Sequence, residues 1–135
     1  MPAIDRCEPQ IVRALEKDGW AVIKRHMLIR LGGNRNAFAD LQVRKGINQI
    51  LIAEVKCFTA SPLQLDEVYN AIGQYQVYRN ALRLKHRDEP LYLAIPGYAH
   101  MRLAAQPSVW ATIQEAMIKL IVVDLVQETI IRWLH

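Results

Sequence analysis

The sequence predicts a single α/β domain in which a mixed β-sheet is flanked by helices. Apolar patterns along the chain follow the order helix, several strands, long helix, strand, helix and strands. The strand segment at 49–58 is almost continuously apolar, which is typical of a strand buried on both faces in the middle of a sheet. With 135 residues, 52% of them hydrophobic, the chain is long enough to bury one core. We therefore expect residues 1–135 to form one domain.

The first part of the chain predicts a helix and then a strand. Apolar residues recur at helical spacing between positions 8 and 17, and Asp18-Gly19 ends this amphipathic pattern. A β-prone stretch follows at 22–31, with an irregularity expected near His26. The turn residues at 32–34 end it.

The next two strands are expected to pair as a hairpin. Residues 36–43 are compatible with a strand, and Arg44-Lys45-Gly46 offers a turn before the apolar segment at 49–58. Glu54 and Lys56 interrupt this second strand with two charges. Charged residues inside a buried strand require an explanation.

The second half of the chain alternates helices and strands. Ser61-Pro62 breaks the chain before a long helical pattern at 63–84, and a compact apolar strand follows at 91–95. Residues 98–117 predict one or two helices interrupted around Pro107. Two further strands are expected at 119–123 and 129–133, separated by a turn.

Charge and cysteine content limit the classes of function. The chain has 17 Lys and Arg against 13 Asp and Glu, and this net charge of +4 favours polyanionic partners without by itself showing nucleic-acid binding. Cys7 and Cys57 are expected to be reduced thiols, and a zinc site is not expected. The longest apolar run is too short to span a bilayer, and the N-terminus lacks a signal-peptide pattern, so we expect a cytoplasmic protein with no membrane partner.

Three charged residues form the candidate catalytic site. Side chains alternate along a strand, so Glu54 and Lys56 should share a face, and Asp40 on the paired strand can join them. Two carboxylates beside an ammonium suit Mg2+ or Mn2+ binding next to a phosphodiester. In the alternative interpretation, Glu54 and Lys56 form an ordinary ion pair and Asp40 is a strand-end residue with no ligand role.

The order of helix, hairpin with an acid and an ExK triplet, and long helix resembles the PD-(D/E)xK nuclease superfamily. More narrowly, the chain resembles the XisH family of fdxN-element excision controlling factors from residue 11 to residue 134. The segments that carry this resemblance are RALEKDGW, AEVKCF, AIGQYQVYRNAL, LYLAIP and IIRWL. It implies a restriction-endonuclease-like fold and a link to programmed DNA-element excision in cyanobacteria, together with a site-specific recombinase and another controlling factor.

The resemblance also implies roles for individual residues. Asp40, Glu54 and Lys56 would be the catalytic trio, with Glu8 as a further metal ligand beside the two acids. Gln74 and Tyr78, one turn apart on the following helix, would bind substrate, with Gln74 contacting a phosphate or a water.

Two positions depart from the family patterns. Ala39 precedes Asp40 where the superfamily motif has proline, and Glu8 stands where related XisH sequences more often have histidine. For Gln74 and Tyr78, packing and hydrogen bonding between helices are an alternative to substrate binding.

Two functions from different classes follow. The first is a Mg2+-dependent DNA endonuclease that acts in site-specific excision, and the second is a non-catalytic DNA- or protein-binding accessory factor for a recombinase. A homodimer is a further expectation, because paired nuclease sites can cut two strands. Trp110, Met117 and Ile118 are candidates for its interface, with the core as the alternative place for them.

Overall fold

In the computed structural model, which describes residues 6–135, six strands form one mixed sheet in the order in which they occur along the chain. The helices and strands are α1 (Glu8–Lys17), β1 (Ala21–Gly32), β2 (Arg35–Lys45), β3 (Gln49–Val55), α2 (Leu65–Leu84), β4 (Leu91–Pro96), α3 (Gly97–Ala104), α4 (Pro107–Glu115), β5 (Leu120–Asp124) and β6 (Thr129–Leu134). Strands β3, β4 and β5 are parallel, and the remaining neighbours are antiparallel. The predicted α/β class with a mixed sheet flanked by helices is confirmed.

The core has two halves, one on each face of the sheet. Ile52 belongs to the half under α2, whereas Leu51 and Ala53 belong to the half under α1. This alternation follows from the period of two along a strand, and it explains why β3 has almost no polar position. Every residue of β4 is buried in the same way.

The hairpin of β1 and β2 changes its buried face at Asp40. Ala39 packs in the half of the core under α2, while Leu41, two residues later, packs in the half under α1. Residues two apart on a regular strand would share a face, so β2 bends between them. His26, which lies between the paired residues Arg25 and Met27 of β1, has a positive φ of 52° at the same level. The irregularity expected near His26 is therefore present. At this bend, the Asp40 side chain lies against β3, where it accepts a hydrogen bond from the Val55 N–H.

The predicted end of the third strand was wrong by three residues. Strand β3 ends at Val55 and not at Phe58. The backbone N–H of Lys56 still donates to the carbonyl of Ala94, at 3.0 Å, before the chain leaves the sheet. Phe58 then adopts a positive φ of 47°, which is incompatible with an extended strand.

The prediction of reduced thiols was also wrong. Cys7 and Cys57 form a disulfide, with their Cα atoms 5.9 Å apart, although the two residues are 50 positions apart in the sequence. The fold brings together the residue before α1 and the segment that leaves β3, which no local pattern indicates. The two sulfurs are buried, as expected for Cys57.

The three residues considered for a dimer interface have different surroundings. Ile118 is buried in the core, Trp110 is half-buried against it, and Met117 is 71% exposed. The homodimer remains a prediction. In the described part of the chain, no helix is long and apolar enough to cross a bilayer.

Candidate active site

Two carboxyl groups connect β2 to β3 at the point where the strands separate. The register of these strands pairs Leu41 with Ala53, so Asp40 and Glu54 come next along the pair. The Val55 N–H donates to Asp40 Oδ2 at 2.7 Å, and the Asp40 N–H donates to Glu54 Oε1 at 3.3 Å. Each acid thus accepts a main-chain hydrogen bond from the opposite strand. These reciprocal bonds hold the two carboxyl groups, which we call the acid pair, next to each other.

Burial makes the acid pair electrostatically unusual. Glu54 is only 4% exposed to solvent. Loss of water, a hydrogen bond with the Asp40 carboxylate and repulsion by its charge raise the pKa of Glu54 to about 9, although the Lys56 charge opposes the rise. A pKa raised in this way favours the protonated form of the Glu54 carboxyl at neutral pH.

Lys56 lies directly after β3 and is half-buried. Its ammonium is near enough to lower the pKa of the Glu54 carboxyl, which places its charge at the acid pair. The structure therefore brings Asp40, Glu54 and Lys56 together, as the spacing predicted.

Gln74 and Tyr78 extend the site from α2. The Gln74 side-chain amide donates to Tyr78 Oη at 2.9 Å. The pKa of the Tyr78 phenol is raised, first by burial and then by the negative charge of Glu54, with a smaller contribution from Asp40. The Tyr78 phenol is therefore close enough to the acid pair to be affected by its charge. Gln74 is linked to the acid pair only indirectly, through its hydrogen bond to this phenol.

Glu8 has a different setting. It is 3% exposed on α1, and the Arg25 guanidinium donates to its Oε2 from 3.3 Å. Cys7 precedes Glu8 and Cys57 follows Lys56. The disulfide between these cysteines therefore brings the start of α1 close to the segment that carries Lys56. The role of Glu8 as a metal ligand remains a prediction.

The donor atoms at the acid pair are oxygens, the ligand type that hard divalent cations prefer. Mg2+ is commonly held by one or two carboxylates, with waters and substrate phosphates completing its shell. Asp40 and Glu54 supply carboxylate oxygens, and the adjacent carbonyl of Ala53 or Val55 is a further candidate. Across residues 6–135, no three Asp, Glu, His or Cys side chains are grouped as a ligand set, so these two acids would be the carboxylate ligands.

Two residues of α3 that the sequence did not single out hold the loop after Lys56. Tyr98 Oη donates to the carbonyl of Cys57 at 2.7 Å, and Arg102 donates to the carbonyl of Phe58 at 3.2 Å. The Arg102 guanidinium also lies over the Tyr98 ring, 4.8 Å from its centroid. Their spacing of four residues would have identified them as neighbours on a helix. It could not have indicated the loop that they bind.

Comparisons with known proteins give a consistent result. The family model described as XisH protein matches residues 1–131. The crystal structure of an XisH family protein from Nostoc punctiforme PCC 73102 is 29% identical, with a TM-score of 0.87, and the alignment covers 97% of this chain and 100% of that chain. A fdxN element excision controlling factor protein from Anabaena variabilis is 30% identical, with a TM-score of 0.86 and the same coverage of 97% and 100%. No curated protein sequence matches the chain significantly.

Proposed function

The chain belongs to the XisH family, and on this premise we propose that it acts in site-specific DNA excision as a Mg2+- or Mn2+-dependent endonuclease. The observation that carries this proposal is the acid pair with Lys56 beside it. A carboxyl group buried as fully as that of Glu54 is costly to keep, and a strongly raised pKa beside a second acid is typical of functional sites. A divalent cation beside a DNA phosphate is the ligand that suits these three side chains best.

In this proposal each residue has a chemical task. Asp40 and Glu54 hold the cation once their proton has left, and the main-chain bonds from Val55 and Asp40 fix the direction of their oxygens. A bound cation supplies a Lewis acid and lowers the pKa of a bound water. Lys56 offsets the negative charge of the scissile phosphate. Tyr78 and Gln74 orient a phosphate oxygen or a water by hydrogen bonding.

Membership of the PD-(D/E)xK superfamily is part of the proposal. It is supported by the register that places Asp40 and Glu54 next to each other, and by the position of α2 directly after the hairpin. Ala39 in place of the motif proline does not remove any of the catalytic groups. Cytoplasmic DNA, a site-specific recombinase and another controlling factor are the proposed partners.

A second candidate is a non-catalytic accessory factor that binds DNA or protein. The observation that favours it is that both acids already accept main-chain hydrogen bonds, so they can stabilise the hairpin without any cation.

Nicking of supercoiled plasmid by the pure protein tests the first proposal. With Mn2+ or Mg2+ we expect nicked product from the wild type and a rate lower by at least about 100-fold for Glu54→Gln and for Lys56→Ala. Glu16→Gln is the matched control, because Glu16 is exposed on α1 and far from this chemistry in sequence. Equal rates in all four proteins would rule out the assignment.

Calorimetry with Mn2+ separates the two candidates. The endonuclease proposal requires binding by the wild type that Glu54→Gln abolishes. A wild type that releases no heat with Mn2+ but still shifts DNA in a gel would favour the accessory factor.

A further inference from the structure

We propose that a cavity beside α2, separate from the acid pair, binds a nucleotide. The cavity is about 610 Å³ and lies between the last part of α2, the end of α4 and the starts of β4 and β5. This volume falls within the range of small-molecule sites. The proposal does not depend on the endonuclease activity.

The cavity lies at the opposite end of the parallel strands from the acid pair. It is lined by Pro90, just before β4, and by Leu91, the first residue of β4, whereas Glu54 pairs with Leu93, further along the same strand. Neither Asp40 nor Glu54 lines it. A ligand in this cavity would therefore occupy a separate site.

Positive charge dominates the cavity wall. Four cationic side chains line it, from Arg79, Arg83, Arg87 and Lys119, against the carboxylates of Asp88 and Glu89. Arg87 pairs with Glu89 and is thereby neutralised. Within residues 6–135, Arg83 and Lys119 form no ion pair with a carboxylate. The surplus of cations is the charge pattern that attracts a phosphate group.

Arg79 is the cation of the cavity wall that the surrounding structure holds most firmly. Its Nη1 donates to the carbonyl of Ala116 at 2.6 Å, which places the guanidinium at the end of α4. Its Nε is buried and has no hydrogen-bond partner in the structure. The guanidinium also lies over the Tyr75 ring, 5.3 Å from its centroid, and it forms no ion pair with a carboxylate in residues 6–135, so its positive charge adds to that of Arg83 and Lys119.

The remaining wall is apolar and partly aromatic. Trp110, Ile113 and Met117 line the side formed by α4 and the turn after it. Trp110 is half-buried and Met117 is exposed, so both surfaces are accessible to a ligand. A planar aromatic group would cover this side while a phosphate meets the arginines. A nucleotide combines both features in one molecule.

Calorimetry of the full chain in EDTA tests the proposal without involving the cation site. We expect saturable binding of ATP, and binding at least about tenfold weaker for inorganic phosphate and for adenosine, because each probe keeps only half of the contacts. Phosphate binding as tightly as ATP would show that the aromatic wall contributes nothing, and adenosine binding as tightly would show the same for the cations. Either result, or no binding of ATP, would overturn the nucleotide site.

Variants locate the binding. Arg83→Gln should weaken ATP binding by at least about tenfold, since one charge-assisted hydrogen bond is lost, and Lys119→Gln should act similarly. Arg83 is exposed and its replacement should not disturb folding, unlike that of Arg79. Arg35→Gln is the matched control, because Arg35 is an equally exposed arginine that does not line the cavity. An equal loss in Arg35→Gln and Arg83→Gln would mean non-specific attraction and would refute the site.

Discussion

The acid pair and the basic cavity lie at two ends of the parallel strands. They carry opposite charges, and the surrounding structure positions these charges in different ways. At the end of β3, the acid pair is bonded to the main chain of β2 and β3, and Glu54 is almost fully removed from water. At the starts of β4 and β5, the cations reach into an open cavity, and among them Arg79 is bonded to the end of α4. The acids are thus fixed by the sheet itself, whereas Arg83 at the cavity is exposed and forms no ion pair in residues 6–135.

One helix serves both ends. Tyr78 of α2 lies in the field of the acid pair, and Gln74 is bonded to it. Tyr75, on the same helix, donates to the carbonyl of Leu91 at 2.6 Å and accepts from the Lys119 N–H at 3.2 Å. The tyrosines therefore connect α2 to different ends of the strands. Variants at each end should separate their contributions.

The largest expected effect concerns the disulfide beside the acid pair. Replacing both Cys7 and Cys57 with serine should lower the free energy of unfolding by about 4 kcal/mol, since the bond closes a loop of 50 positions in the unfolded chain. Urea denaturation of the oxidised proteins measures this. Reductant should bring the wild type down to the level of the double variant and leave that variant unchanged.

The disulfide variant also tests how separate the two ends are. We expect ATP binding at the cavity to stay the same while the acid end is destabilised. A parallel loss of ATP binding would show that the two ends are coupled.

The pH dependence of stability should come from the acid end. The pKa of Glu54 is raised to about 9 from an ordinary value of 4.5, so the folded protein holds a proton that the unfolded chain releases. The contribution of Glu54 to the stability of the folded protein is therefore greatest below pH 4.5, and it falls as the pH rises from 4.5 to about 9. The slope should reach at most about 1.4 kcal/mol per pH unit.

Urea denaturation between pH 6 and pH 8 checks this slope. Glu54→Gln should be nearly independent of pH in comparison with the wild type, because the titrating group is gone. Identical slopes for the two proteins would contradict the assignment of the shift to Glu54.

At the cavity end, Tyr75→Phe should cost about 1–3 kcal/mol of unfolding free energy. The change leaves the Leu91 carbonyl without its phenol donor and the Lys119 N–H without its acceptor. Tyr69→Phe is the matched control on the same helix, because Tyr69 is 59% exposed. Thermal or urea denaturation should show a loss in the first variant only, and equal values would contradict the role of Tyr75.

The smallest effect is expected at Glu89. Its pKa is lowered mainly by the hydrogen bond from Arg87, and this partly exposed pair should contribute less than about 1 kcal/mol to stability. Glu89→Gln removes a negative charge from the cavity wall and frees Arg87, so ATP should bind about twofold more tightly. Calorimetry that shows weaker binding would contradict the charge balance proposed for the cavity.

Much of the fold could be predicted because the chain alternates clear local signals. The boundaries of α1 were predicted to the residue, since its apolar spacing and the Asp18-Gly19 stop are both local. The end of β3 was predicted three residues too late, because Cys57 and Phe58 are as apolar as a strand although the positive φ of Phe58 ends it. Apolar residues indicate that a segment is buried, but they do not indicate the residue at which a strand ends.

The candidate site was predictable only in part. Glu54 and Lys56 belong to one strand pattern, and a two-strand register is enough to add Asp40. Tyr98 and Arg102 reach the loop after Lys56 from α3, about 40 residues away, and no spacing rule connects them to it.

The sequence by itself determined the α/β class, the order of the elements and the placement of two acids and a lysine on paired strands. These features depend on periodicity and on a short hairpin, which are local properties of the chain. Tertiary structure alone decided the disulfide between Cys7 and Cys57, the raised pKa of Glu54 and the basic cavity. The disulfide and the cavity join segments far apart in the sequence, and the raised pKa of Glu54 depends on burial, so all three arise only once the chain has folded.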